Sequence, residues 1–198
     1  MHVNQTGESR IPRSQLRKLL LGRRAKIGGE IRKQFDQAII SSLSGLAPLQ
    51  SAGTVAVYWP IQGEPDLRPL AAQWRAAGKT LALPVMGGPN GGLLFCAWHD
   101  DSELSMGPFG IPIPRDRTPL APDCLVIPCL GFTVSRGYPW RLGYGAGYYD
   151  RTLAHRPVAA VGVAYDEAAT DQFEPNAMDA PLSALVTPSR VITSIASP

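Results

Sequence analysis

The densest run of chemistry-bearing residues is Arg141-Leu142-Gly143-Tyr144-Gly145-Ala146-Gly147-Tyr148-Tyr149-Asp150-Arg151. Glycine admits positive φ and, having no side chain, lets a backbone N–H approach a ligand closely. Successive N–H groups in such a loop, leading into a helix, form a concavity that receives an anion. The spacing is neither the Walker A form, which needs Gly-Lys-Ser/Thr, nor the dinucleotide fingerprint. A tight loop selected for geometry alone is the competing reading. Arg141 at one end and Tyr148-Tyr149-Asp150 at the other favour phosphate chemistry.

Carboxylates and cations around this loop extend the pattern. Asp150 adjoins it, and Asp179 lies in Asn176-Ala-Met-Asp-Ala-Pro181. Mg²⁺ serving nucleotide phosphates is held by one or two carboxylates, with phosphate and water completing its shell. Asp150 is equally readable as an acid favoured by a helix N-terminus, and Asp179 as a turn residue. In Tyr58-Trp-Pro-Ile-Gln-Gly-Glu-Pro-Asp66, Trp59 offers a flat ring for a heterocycle or a core side chain, and Glu64 a carboxylate. Asp66 is better read as the start of the next helix. Arg13 and Arg17 are four residues apart on a helical pattern, so they share a face and can converge on one anion. The three histidines, His2, His99 and His155, stand in unrelated contexts, and no Gly-x-Ser-x-Gly elbow occurs. A histidine-based triad or zinc site therefore has no support.

These residues need elements to hold them. Leu16, Leu19, Leu20, Ile27, Ile31, Phe35 and Ile39 recur at three- and four-residue steps, which predicts one amphipathic helix from Arg13 to about Leu43 with a weak point at Gly28-Gly29. Apolar runs at 54–59, 80–85, 93–98, 123–127 and 158–164 read as strands, with a short sixth at 184–186. A helix pattern spans 66–77 and another begins near 148; Gly87 to Gly92 reads as a turn, and the Pro-rich stretch 105–122 as a surface loop. Uniformly apolar strands alternating with helices imply a mostly parallel sheet covered on both faces. In such sheets ligands lie at the carboxyl ends of the strands.

Composition bounds the rest. The chain has 198 residues, of which 20 are Gly and 19 are Pro, but 44% are hydrophobic, so wholesale disorder is excluded. Cys96, Cys124 and Cys129 have no metal-type spacing and suit a reducing cytoplasm. No stretch approaches the roughly 20 apolar residues of a membrane span. Residues 1–40 hold nine Lys or Arg against three acids, giving +6 in a chain whose net charge is +3. Such a segment suits an anionic partner or is a solvated helix face.

Taken in order, Arg13-Ser14-Gln15-Leu16-Arg17, Val57-Tyr-Trp-Pro60, Gly63-Glu-Pro-Asp66, Gly110-Ile-Pro-Ile-Pro114 and Arg141 to Arg151 resemble the 5-formyltetrahydrofolate cyclo-ligases, over about residues 12–188. The resemblance implies an α/β fold: a three-layer α/β/α Rossmann-like domain of the NagB/RpiA/CoA-transferase type, with a flexible stretch at 1–11 and a single domain over 12–198. It implies ATP- and Mg²⁺-dependent closure of 5-formyltetrahydrofolate, with or without a polyglutamate tail, to 5,10-methenyltetrahydrofolate. It further implies that Arg13 to Arg17 and Arg141 to Tyr149 contact ATP, and that Trp59, Glu64 and Tyr144 to Tyr148 contact folate. Asp150 and Asp179 are implied as metal ligands, with Arg141, Tyr148 and Asp150 at the chemistry. A cytoplasmic monomer that binds neither nucleic acid nor membrane is expected. Four departures stand out: Arg13 for a usual Lys, Ala146 for a common Gly, Ser183 where many members have an acid, and Tyr138-Pro-Trp140 as a short insertion. A non-catalytic folate-binding relative and a nucleic-acid-binding protein using the basic N-terminal helix are the alternatives.

Overall fold

The structure is a computed structural model and describes residues 11–195. The expected flexible stretch at 1–11 lies outside these residues except for Ile11, which packs against an apolar cluster containing Leu16 and Leu20. The single helix expected from Arg13 to about Leu43 is two: α1 (Arg13–Ala25) and α2 (Gly29–Ser44). Gly28 is extended, at φ −64° and ψ 151°, so the hydrogen-bond ladder stops and restarts there. Helix α3 (Ala47–Ser51) leads into β1 (Thr54–Ala56), followed by α4 (Arg68–Ala76), β2 (Thr80–Met86) and β3 (Leu93–Ala97). Asp66 accepts the Arg68 backbone N–H at 3.0 Å, which supports its reading as a helix-start residue.

The segment read as a surface loop at 105–122 contains part of a hairpin, β4 (Leu104–Met106) with β5 (Pro112–Pro114). Next come β6 (Cys124–Pro128), β7 (Gly131–Ser135) and β8 (Tyr138–Leu142). Tyr138-Pro-Trp140, expected as an insertion, is the first part of β8. The two-residue turn before it, Arg136 and Gly137, has both φ angles positive, 53° and 81°. Such turns match the twist of paired strands. Helix α5 (Tyr148–His155), β9 (Ala159–Val163), β10 (Ala184–Val186) and β11 (Val191–Thr193) complete the chain.

Seven strands form one sheet in the order β11-β10-β9-β6-β1-β2-β3. The inner five are parallel, and the edges β3 and β11 are antiparallel to their neighbours. Alternation along the strands divides the core. Val55, Leu81, Val126 and Val161 face α2, α3 and α4 through Ile39, Leu43, Leu49, Leu70 and Trp74. Ala56, Leu125, Ile127 and Leu185 face the opposite way, toward Leu153 of α5 and Phe132. This is the three-layer α/β/α arrangement. Helix α1 stands apart from both layers, with Leu16 and Leu20 packed on Leu130, Leu142 and Phe173. The three cysteines are buried and unpaired, and burial pushes the Cys124 and Cys129 thiols up to about 12. Among the described residues, no helix is long and apolar enough to cross a membrane.

From β1 the chain winds outward through β2 on one side; from β6 it winds outward through β9 and β10 on the other. The connections leaving the carboxyl ends of β1 and β6 therefore run to opposite sides, and a crevice forms at that switch point.

Candidate active site

A cavity of about 590 Å³ occupies this crevice. Trp59 and Glu64 enter it from the segment after β1, Pro128 from the end of β6, and Arg141 to Arg151 from the end of β8 through the start of α5. Arg13 and Arg17 of α1 and Asp179 close another wall. Helical spacing separates the five residues expected at the start of α1. Arg13 and Arg17 line the cavity, whereas Ser14 and Gln15 are exposed and Leu16 is buried against Leu20, so none of these three side chains lines it.

The glycine loop is built against guanidinium groups. A Cβ on Gly143 would lie 2.6 Å from Arg141 Nη1, one on Gly145 3.1 Å from Arg17 Cζ, and one on Gly147 2.9 Å from Arg151 Nη1. Gly145 and Gly147 also have φ of 110° and 68°. Arg17 Nε donates to the Gly143 carbonyl at 2.8 Å. Arg151 Nε donates to the Gly91 carbonyl at 2.9 Å, with its guanidinium 5.2 Å from the Tyr148 ring centre.

Arg141 is buried, and its guanidinium lies 5.3 Å from the Tyr149 ring centre. Its Nη2 is 2.9 Å from Asp150 Oδ2 but makes no aligned hydrogen bond, and its Nε has no partner in the protein. Such groups are costly to bury unsatisfied. Two buried guanidinium nitrogens beside the cavity wall are thus left without an aligned acceptor. Asp150 Oδ1 accepts the Ala180 N–H at 3.2 Å. Asp179 is engaged by a fork: Arg13 Nη1 and Nη2 donate to its two oxygens at 3.0 and 2.6 Å, and the Asn176 N–H reaches Oδ2 at 2.8 Å. Burial alone would raise the Asp179 carboxyl, but the Arg13 hydrogen bonds and the Asn176 N–H outweigh it and hold the group below the usual carboxylate range.

At the other end, Glu64 is 4% exposed. Its Oε2 accepts the Ile61 N–H at 3.0 Å and its Oε1 accepts the Tyr144 hydroxyl at 2.9 Å. Burial raises this carboxyl, and those bonds together with Arg24 offset part of the rise. The turn presenting Glu64 is tight: Gln62 and Gly63 both have positive φ, a Gly63 Cβ would lie 2.9 Å from Arg32 Nη1, and the Tyr58 hydroxyl donates to the Pro65 carbonyl at 2.7 Å. Trp59 meets Trp98 edge-on at 6.1 Å between ring centres, and the Arg68 guanidinium lies 5.4 Å from its ring centre.

Three contributors lie beyond the residues that sequence reasoning picks out. Arg24 follows Arg17 by seven residues, two helical turns, so its placement beneath the same wall is readable from periodicity. Arg151 closes the glycine segment and stands four residues after Gly147. Phe109, at the tip of the β4–β5 hairpin, lines the cavity while 78% exposed, and carries no signal in a Pro-rich stretch. Among the described residues, no group of three or more His, Cys, Asp or Glu could enclose a metal ion. Asp150 can supply one carboxylate to an ion whose other ligands come from a bound anion and water. The Arg13 fork would have to open for Asp179 to do the same.

The doubly wound sheet, the crevice at its switch point and the arginine-backed glycine loop define an α/β enzyme. The family model of the 5-formyltetrahydrofolate cyclo-ligases matches residues 10–188. The 5-formyltetrahydrofolate cyclo-ligase of Escherichia coli (strain K12) is 37% identical over 178 residues, covering 85% of this chain and 96% of that one. That of Mycolicibacterium smegmatis is 30% identical over 193 residues, covering 92% and 97%. The solved structure of Aquifex aeolicus 5,10-methenyltetrahydrofolate synthetase superposes with a TM-score of 0.80 at 32% identity, covering 95% of each chain. A 5,10-methenyltetrahydrofolate synthetase from Mycoplasma pneumoniae shares the fold, with a TM-score of 0.71 at 23% identity, covering 90% of this chain and 99% of that one. The chain belongs to the 5-formyltetrahydrofolate cyclo-ligase family.

Proposed function

We propose that the protein closes 5-formyltetrahydrofolate to 5,10-methenyltetrahydrofolate, consuming ATP with Mg²⁺ and releasing ADP and phosphate. The observation that carries the ATP half is Arg141, buried at the cavity wall with Nε unpartnered and Nη2 unaligned. ATP supplies a phosphoryl group to the formyl oxygen, making it a leaving group that N10 displaces as the ring closes. Mg²⁺ supplies charge neutralisation among the phosphate oxygens.

The remaining work is positioning and electrostatics, as expected for phosphoryl transfer. Arg141, Arg17 and Arg151 back the loop from Leu142 to Tyr149, so its N–H groups and their guanidiniums address one polyanion. Asp150 holds Arg141 Nη2 within 2.9 Å and is the carboxylate best placed to hold Mg²⁺. Asp179 keeps Arg13 on the cavity wall and becomes a second metal ligand only where that fork opens. Trp59 and Glu64 receive the folate, Glu64 as an acceptor for heterocycle N–H groups, with Tyr144 and Tyr148 between the two ligands.

Residues 12–198 act as one domain in this reading, supported by the family match and by the single seven-stranded sheet. A cytoplasmic monomer without nucleic-acid partners is part of it; three buried free thiols agree with a reducing compartment, and Arg13 and Arg17 of the basic segment line the cavity. The test is to mix the protein with 5-formyltetrahydrofolate, ATP and Mg²⁺ and follow the methenyl absorbance band. A rise that requires all three supports the assignment. Folded protein that binds folate without turnover would overturn it in favour of a non-catalytic relative.

A further inference from the structure

Arg24 is a buried cation that the proposed chemistry does not use. It lies on α1, its side chain 5% exposed, and does not line the cavity. Nη2 donates to the Cys129 carbonyl at 2.7 Å, at the end of β6. Nη1 donates to the Tyr144 hydroxyl at 2.8 Å and stands 4.0 Å from Glu64 Oε1. The Tyr144 hydroxyl donates its own proton to Glu64 Oε1 at 2.9 Å. One guanidinium thus fixes a tyrosine of the glycine loop, a carboxylate from the far side of the crevice and the end of a central strand.

A carboxylate buried to this degree is neutralised unless a cation compensates it. The other groups facing Glu64 are Tyr58, Tyr149 and Cys129, all held neutral, chiefly by burial. Arg32 packs beneath the preceding residue, Gly63, but spends its Nη2 on the Arg24 and Ile27 carbonyls. Arg24 is the counter-charge.

We propose that Arg24 is a positioning residue for the folate half of the site: it keeps Glu64 an ionised, fixed acceptor for a heterocycle N–H, and through Tyr144 it ties the glycine loop to that acceptor. The proposal rests on the reading of Glu64 as a folate contact. It places three arginines of α1 in one device, with Arg13 and Arg17 at the anion end and Arg24 under the folate end.

Arg24→Gln, which retains hydrogen-bond donors but not the charge, is the decisive variant, with Arg24→Lys as the rescue. R24Q is expected to raise KM for 5-formyltetrahydrofolate about tenfold or more and KM for ATP by a smaller factor, through the loop that Tyr144 anchors. In R24Q the uncompensated Glu64 holds its proton to higher pH than in the wild type. The pH dependence of the variant's folate affinity should therefore shift upward relative to the wild type, with affinity rising as Glu64 ionises. R24K should restore the wild-type profile. Without added ligand, the melting temperature of R24Q should fall further below wild type as pH rises, because a carboxyl with a raised folded-state pKa favours folding in its protonated form. The E64Q substitution should abolish that widening.

An unchanged folate KM in R24Q, a wild-type pH profile, or a melting gap indifferent to E64Q would overturn the proposal. If the wild type itself fails to use folate, the functional reading falls, while the melting series still decides whether Arg24 controls Glu64.

Discussion

Arg141 and Asp150 carry the greatest consequence at the scale of single residues. The pair brings a buried guanidinium against a carboxylate in the first turn of α5, 2.9 Å apart, and leaves two guanidinium nitrogens without an aligned acceptor beside the cavity. Asp150→Asn is expected to lower turnover by about 10²–10³-fold, the size seen when one group serving transition-state charge is removed. Far-UV circular dichroism should be unchanged, since Asn can still accept the Ala180 N–H; near-normal turnover would remove Asp150 from the chemistry. Arg13 and Asp179 give a pH signature. The Asp179 carboxyl is held below its ordinary range, so its contribution to stability is full above the unfolded-state value and is lost as pH falls through the lower folded-state one. Melting curves in the acid range should therefore drop more steeply for the wild type than for Arg13→Met. Both carboxylates are visible in the sequence as candidates, and Asp150 shares a segment with Arg141, whereas the pairing of Asp179 with Arg13 is not legible, because the two are 166 positions apart and no local pattern joins them.

Elements decide what each residue can reach. Gly147 ends the loop and precedes α5 with φ 68°, and a Cβ there would press on Arg151. Gly147→Ala should cost about 1–2 kcal/mol from backbone conformation alone, read by urea denaturation, and should also raise KM for ATP. Gly22 is the contrast: it is exposed inside α1, with open space where a methyl group would stand. Gly22→Ala should add about 0.5–1 kcal/mol and leave turnover unchanged. The parallel strands are legible because they are buried on both faces and read as unbroken apolar runs. The α1–α2 break is half legible: Gly28-Gly29 marks a weak point, but the apolar period continues through Ile27 and Ile31 and conceals a full stop. The β7–β8 and β4–β5 hairpins are hidden for another reason. Pro139, Pro112 and Pro114 lie inside short strands of two-stranded ribbons, where a missing N–H is tolerated at an edge, and proline reads locally as a breaker. Arg141 stands where it does because β8 carries it there, so the unread hairpin positions the most exacting residue of the site.

The whole molecule is a rigid sheet with a helix leaning on its ligand-bearing end. Helix α1 belongs to neither covering layer and is held by Leu16, Leu20 and its arginines. Adding ATP with Mg²⁺ is expected to slow amide exchange in α1 and residues 143–147 more than in β1, β6 or β9, whose protection already reflects global unfolding. Equal slowing everywhere, or none in α1, would contradict this. The placement of α1 also bears on synthesis. It is the first described element to leave the ribosome, yet its apolar partners Leu130, Leu142 and Phe173 and its carboxylate Asp179 lie more than a hundred residues further along the chain. Closing so long a loop is entropically slow to be rewarded, so α1 docks late. A nascent chain therefore has the beginnings of its scaffold long before it has both walls of its crevice. Under the proposed reaction, an unfinished polypeptide cannot waste ATP: competence arrives with the final segments, when residues from both ends of the described chain meet across the site.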